Sequence, residues 1–157
     1  MSGPETLTVQ APLAGTLLEL GQVPDPVFAQ GMVGHGVAME PAVGDEAVTV
    51  LSPVAGKLLK VMPHAFVVLA PSGLAVLVHL GIDTVKLEGE GFTVRAHKGD
   101  PVEAGDPVVE MDLSRIREAG LSACCPVVVL DSAADAITSL AGSESIAAGQ
   151  DLFAVHQ

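Results

Sequence analysis

The chain has 157 residues, with 7 Lys and Arg against 19 Asp and Glu, for a formal net charge of −12. That length fits about one domain. So few cations argue against a nucleic-acid partner or an anionic membrane surface, both of which recruit Lys/Arg clusters. The lack of Trp and Tyr removes aromatic stacking platforms, and 49 % hydrophobic residues exclude a disordered chain.

From the amino terminus, Met1-Ser-Gly-Pro-Glu5 carries neither a basic region nor an apolar stretch, so no secretory signal is expected. Short Val- and Leu-rich runs then recur between Gly, Pro and Asp: Thr16–Leu20, Ala47–Leu51, Lys57–Met62, Phe66–Ala70, Leu74–Leu80, Phe92–Ala96, Pro107–Met111, Pro126–Leu130 and Leu152–Val155. Their length and flanking breakers predict strands buried on both faces. A short helix is expected at Ser114–Ala119, capped by Asp112 or Ser114 and stopped by Gly120. A second is expected within Asp131–Leu140, capped by Asp131 or Ser132. The longest apolar run, Ala65 to Val78, is broken by Pro71-Ser-Gly73 and is too short to insert into a membrane. Cys124 and Cys125 are neighbours that point to opposite faces of a strand, so no disulfide framework forms. A reducing, cytoplasmic location is the expectation.

The chain repeats itself. Val9-Gln-Ala-Pro-Leu-Ala-Gly-Thr-Leu-Leu-Glu-Leu20 matches Val50-Leu-Ser-Pro-Val-Ala-Gly-Lys-Leu-Leu-Lys-Val61, with Gly permitting the turn into the next strand. Gly105-Asp-Pro-Val recurs loosely as Gly149-Gln-Asp-Leu. The expected fold is all-β: one domain over 1–157 with its core at about 7–156, an antiparallel β-sandwich or closed barrel built from two half-barrels, with one or two short helices. The repeats look like the barrel-sandwich hybrid of lipoyl and biotinyl carriers.

Chemistry near neutral pH falls to the five histidines. His97 and His156 read as solvated, and His35 as a residue of a Gly-flanked turn, Gly34-His-Gly36. His64 and His79 instead flank an apolar hairpin that turns at Ala70-Pro-Ser-Gly73. A hairpin symmetrical about Pro71-Ser72 sets them directly opposite, with Cβ atoms about 4.5–5.5 Å apart. A bulge at Gly73 would shift the register by one. Gly81 lets the backbone fold close to the His79 imidazole, so a carbonyl there fixes the tautomer. Asp83 serves as an orienting group, metal ligand or docking charge.

His64-Ala-Phe, Val78-His-Leu-Gly-Ile-Asp-Thr-Val85, Leu87-Glu-Gly-Glu-Gly-Phe92, Val23-Pro-Asp-Pro-Val-Phe28 and Gly105-Asp-Pro-Val-Val-Glu-Met-Asp112 resemble the glucose-family IIA domain of the bacterial phosphoenolpyruvate-dependent sugar phosphotransferase system. The resemblance implies a phosphoryl carrier. Its His79 would take the group on Nε2 from the phosphocarrier protein HPr and pass it to a cysteine on the IIB domain of a glucose- or N-acetylglucosamine-class permease. His64 would hydrogen-bond the phosphoryl group. Val27, Phe28, Met32, Val33, Leu77 and Val85 match an apolar docking patch, and Asp25 and Asp83 match acids that meet a basic residue of HPr. Regulatory protein targets are also implied. No cofactor is required, but His64 and His79 would form half of a tetrahedral zinc site that a partner's Glu and a water complete.

Two other readings were weighed. His79-Leu-Gly-Ile-Asp83 also fits the His-x-Gly-x-Asp string of lysostaphin-type zinc endopeptidases, but no His-x-His pair follows. A biotin or lipoyl carrier needs a modified Lys at a hairpin tip, and neither Lys57 nor Lys60 stands in such a context.

Overall fold

The structure, a computed structural model, describes residues 6–31, 33–41, 47–130, 132, 136–139 and 145–156. In chain order the strands are β1 (Thr6–Gln10), β2 (Gly15–Glu19), β3 (Gly34–Pro41), β4 (Ala47–Leu51), β5 (Gly56–Met62), β6 (Ala65–Leu69), β7 (Ala75–His79) and β8 (Phe92–Val94). They continue as β9 (Pro101–Val102), β10 (Pro107–Asp112), β11 (Cys125–Leu130), β12 (Ile137–Ser139), β13 (Ser145–Ile146) and β14 (Asp151–His156). Two short helices, α1 (Pro26–Ala29) and α2 (Leu113–Glu118), join them. The expected all-β architecture is present: an eight-stranded antiparallel sheet, order β13-β2-β3-β11-β7-β6-β5-β9, and two three-stranded sheets, β1-β14-β12 and β4-β10-β8. One apolar cluster joins all three, with Phe66, Val78 and Val127 from the large sheet, Val9 and Phe153 from the first small sheet, and Val50 and Met111 from the second.

The repeat is a pseudo-twofold clasp. Gln10 N donates to Pro53 O at 2.9 Å, and Leu51 N donates to Pro12 O at 2.8 Å. Each proline lacks an N–H and serves only as acceptor. The second repeat closes the same frame: Gly149 N reaches Ala11 O and Gly105 N reaches Ser52 O, both at 2.9 Å. The repeated Gly15 and Gly56 have a reason other than turning. A Cβ would fall 2.1 Å from Glu40 O at Gly15 and 2.2 Å from Leu69 O at Gly56, so the neighbouring strand passes where a side chain would be.

Each predicted strand is found, with small differences at its ends. Helix α2 forms where expected, with Asp112 Oδ1 accepting from Ser114 N at 3.0 Å. Two expectations are corrected. Ile137–Ser139 is not helical but pairs antiparallel with Val155, Ala154 and Phe153 of β14, because tertiary pairing outweighs weak local propensity. The proposed cap Asp131 and residues 133–135 lie outside the described residues; the Oγ of Ser132 accepts from His35 N at 2.9 Å and donates to Val129 O. His35 is not in a turn but in β3, opposite Val129. Gly34 and Gly36 mark the close approach of β11, since a Cβ there would lie 2.0 Å from Val129 O and 2.1 Å from Val127 O.

Gly15→Ala and Gly56→Ala are therefore expected to destabilise the fold by about 1–3 kcal/mol each, through forced backbone shifts. That is a fall of roughly 2–12 °C in melting temperature. Calorimetry that shows unchanged melting would refute the close-approach account of the repeat.

Candidate functional site

His79 ends β7, between β6 and β11 in the large sheet. The β6–β7 pairing matches Ala65 with His79 and Leu69 with Ala75. The histidines are therefore not directly opposed, which corrects the symmetrical hairpin. The turn holds three residues: Ala70 N donates to Leu74 O at 2.8 Å, and Gly73, at φ +98°, supplies the left-handed bulge position. His64 instead sits in the two-residue Pro63-His64 turn between β5 and β6, where Met62 pairs with Ala65. Its carbonyl accepts from Leu80 N at 2.7 Å, which carries the β6–β7 pairing into the turn. The two rings still meet, with centroids 5.4 Å apart and an interplanar angle of 70°.

The backbone beyond His79 folds back on the ring. His79 Nδ1–H donates to Gly81 O at 2.6 Å. A carbonyl only accepts, so the proton of the neutral imidazole sits on Nδ1 and the Nε2 lone pair is free. Gly81 has φ +80°, and a Cβ there would lie 2.6 Å from Thr84 Cγ2 and 2.9 Å from Ser122 O. Ile82 N donates to Ser122 O at 2.9 Å, and the fully buried Thr84 Oγ1 donates to Leu80 O at 2.6 Å. Together they hold the loop that presents the Gly81 carbonyl. Thr84 belongs to the Val78–Val85 motif but has no role assigned from the sequence; a polar residue directly after the Gly-Ile-Asp turn is the signal for one.

Burial pulls the His79 pKa below its ordinary value, against the Gly81 carbonyl and the charges of Asp25 and Asp83, which pull upward. His64 is also lowered, by burial and then by His79. Both imidazoles are therefore neutral at pH 7. The arrangement is that of a nucleophilic ring nitrogen with a second imidazole beside it.

A family model described as phosphoenolpyruvate-dependent sugar phosphotransferase system, EIIA 1, matches residues 7–134. The chain belongs to that EIIA family. It is 44 % identical over 128 residues to the PTS system glucose-specific EIIA component of Oceanobacillus iheyensis, covering 80 % of this chain and 75 % of that protein. It is 41 % identical over 138 residues to the component of the same name from Bacillus cereus, covering 86 % and 81 %. Among solved structures it is similar to the glucose permease IIA from Mycoplasma capricolum, at 31 % identity and a TM-score of 0.83, covering 96 % of each chain.

In this EIIA domain three further candidate residues connect to His79: Phe28 through its ring, and Asp25 and Asp83 through their charges. Asp25 caps α1, its Oδ1 accepting from Val27 N at 2.9 Å with Pro26 next in the chain. An Asp-Pro dipeptide is a helix-start signal that could have revealed α1 in the sequence. Phe28 is buried with its ring centroid 5.3 Å from that of His79. Asp83 is exposed and takes a left-handed backbone at φ +60°. Val27 and Val85 are 44 % and 58 % exposed, whereas Val33 and Leu77 are half-buried. Met32 lies outside the described residues. Beneath this face is a second apolar cluster of Leu20, Val23, Phe28, Ala38, Ile82, Cys124 and Val128. Cys124, which precedes β11, packs there, and Cys125, the first residue of β11, packs in the main core. Burial pushes their thiols up to about 11 and about 12, so both are free but unreactive.

His35 stands apart from the pair. Its Nδ1 lies 2.8 Å from Ser132 O, and its ring occupies the space above Gly31, bracing the segment that follows α1. His97 is exposed beside Asp100, as expected. The side chain of His156 lies outside the described residues. Among the described residues no group of three or more metal-ligating side chains forms, and no helix is long and apolar enough to cross a membrane.

The lowered pKa values carry a sign. A histidine held neutral by the fold contributes stability above its unfolded pKa of about 6.5, and that contribution is lost as pH falls. Ring NMR should show both His64 and His79 titrating below about 6.5. Titration of His79 above that value would mean that the carbonyl and the two carboxylates outweigh burial.

Proposed function

We propose that His79 is a transient phosphoryl acceptor that draws on phospho-HPr and supplies the IIB domain of a glucose-class permease in the cytoplasm. The observation that carries this reading is the Nδ1–H bond to Gly81 O, which leaves Nε2 as a neutral nucleophile. Nε2 attacks phosphorus. The new N–P bond forms as the donor's phosphohistidine N–P bond breaks, and that electron pair returns to the donor nitrogen. In the second step a IIB cysteine thiolate attacks, an S–P bond forms, and the pair returns to Nε2. Such transfer depends on positioning and charge neutralisation more than on covalent help. His64, with its ring centroid 5.4 Å from that of His79, donates to the phosphoryl oxygens. The exposed Val27 and Val85, with the half-buried Val33 and Leu77, form the apolar docking face. Asp25 and Asp83 receive a basic residue of the donor. The glucose specificity rests on the names of the relatives.

His79→Ala should incorporate no phosphate from phospho-HPr, read by intact mass. His64→Gln keeps a donor and should still be phosphorylated, whereas His64→Ala should pass phosphate to IIB at least tenfold more slowly. Normal labelling of His79→Ala would overturn the assignment. Equal transfer by His64→Ala would remove His64 from the mechanism.

His64 and His79 also supply two imidazole donors that fit half of a tetrahedral zinc site, which a partner's carboxylate and a water would complete. Zinc titration followed by ring NMR should move both histidines together in the free protein and neither after phosphorylation, since phosphate occupies Nε2. Shifts that are independent, or equal in the two forms, would exclude a shared site.

A further inference from the structure

The far end of the same hairpin carries a different kind of surface. Leu69 lies four residues along β6 from Ala65, roughly 13 Å from the level of the histidine pair. There the β5–β6 register slips between Leu58 and Lys60, so Leu59 is an extra residue in β5. Its side chain is 46 % exposed. Beside it a groove of about 360 Å³ opens between β5 and the His97–Asp100 turn, lined by Lys57, Leu58, Leu59, Leu69, Lys98 and Gly99. The turn is fixed to β5 by Gly99 N donating to Leu58 O at 2.8 Å and Leu58 N donating to Asp100 O at 2.9 Å. The floor is leucine, and the charged groups on the walls are both lysines.

Those lysines are uncompensated. Of the chain's seven cations, Arg95 pairs with Glu110 and Arg115 with Glu90, but neither Lys57 nor Lys98 makes an ion pair among the described residues. The acid closest to Lys98 in sequence, Asp100, is engaged by His97 instead: its Oδ2 accepts from His97 N at 2.9 Å. Protection of an exposed strand edge explains Lys60 and the bulge. It does not explain an apolar floor held open between two free ammonium groups.

We propose that this groove binds a small carboxylate with an unbranched apolar body, the head between Lys57 and Lys98 and the body along Leu59 and Leu69. Size favours such a ligand, because 360 Å³ is room for about a dozen water-sized groups. Charge favours it over a larger anionic partner. The chain carries −12 overall, so an anionic bilayer or an acidic domain would meet many carboxylates at once. A single carboxylate in the groove feels chiefly its two nearest ammonium groups, since exposed charges beyond about 8 Å are screened at physiological salt. The site is separate from the histidine pair, so its occupation and phosphoryl transfer are independently testable.

The test is a titration of the ¹⁵N-labelled protein with octanoate, with 1-octanol as the neutral counterpart of the same body. Octanoate should produce saturable amide shifts at Leu59, Leu69 and Gly99 in the low-millimolar range, as expected for about ten heavy atoms, while His79 stays unmoved. Octanol should bind at least tenfold more weakly, and Lys57→Gln/Lys98→Gln should lose octanoate to the same degree. The spectrum of the double variant reports its folding directly. Equal shifts with octanol, an unaltered octanoate titration in the variant, or no shift at all would overturn the proposal. Cosedimentation with phosphatidylglycerol vesicles without octanoate binding would also overturn it, in favour of a membrane surface.

Discussion

The hydrogen bond from His79 Nδ1 to the Gly81 carbonyl decides what the histidine pair can do. It settles the tautomer, orients the ring and leaves the Nε2 lone pair free. The bond exists only because the chain turns back sharply after β7, and the turn exists only because Gly81 takes φ +80° where a Cβ would strike Thr84 and Ser122. Ile82 and the buried hydroxyl of Thr84 then tie the loop to the body of the domain. Burial lowers the pKa of the ring while the carbonyl and two carboxylates restrain that fall. The outcome is a nitrogen that is neutral at physiological pH and presented in a fixed direction.

The frame around this turn is stiff for a reason that lies far from it. Two copies of a small-Pro-apolar-Ala-Gly idiom exchange backbone hydrogen bonds across a pseudo-twofold axis, and the two Gly-Asp and Gly-Gln turns complete the exchange. Strands β7 and β11 therefore sit in the middle of the large sheet, paired on both sides. A residue at the end of such a strand has little freedom. Phe28, whose ring meets that of His79, packs into the second apolar cluster with Ile82 and Cys124, while Val27 and Val85 stand exposed.

The surfaces at the two ends of the β6–β7 hairpin differ in the sign of their charged neighbours. Near His79 the charged neighbours are Asp25 and Asp83; near Leu69 they are Lys57 and Lys98. With only seven cations against nineteen acids, that separation gives each end its own electrostatic preference, and screening keeps the two from cancelling.

Much of this was legible in the chain. Breaker-bounded Val and Leu runs gave away the strands, because strand length and turn chemistry are local properties. The repeat announced the duplicated frame, and the Gly-Ile-Asp turn after His79 marked the carbonyl that orients its ring. The meeting of His64 with His79 was expected from a symmetrical hairpin, with a bulge at Gly73 as the alternative register; the bulge formed, and a pattern apolar on both faces holds no information to choose between them. Only the tertiary structure showed that His64 occupies the preceding turn and that its ring meets that of His79 from there. Gly34-His-Gly36 looked like a turn because glycine signals flexibility in isolation, whereas here it answers a neighbouring carbonyl about 2 Å from where a Cβ would stand. Ile137–Ser139 became a strand because β14 offered it an edge. The second apolar cluster, with Cys124 in it, joins residues from Leu20 to Val128. Such contacts are set by how sheets and loops pack in space, and no window along one chain contains them.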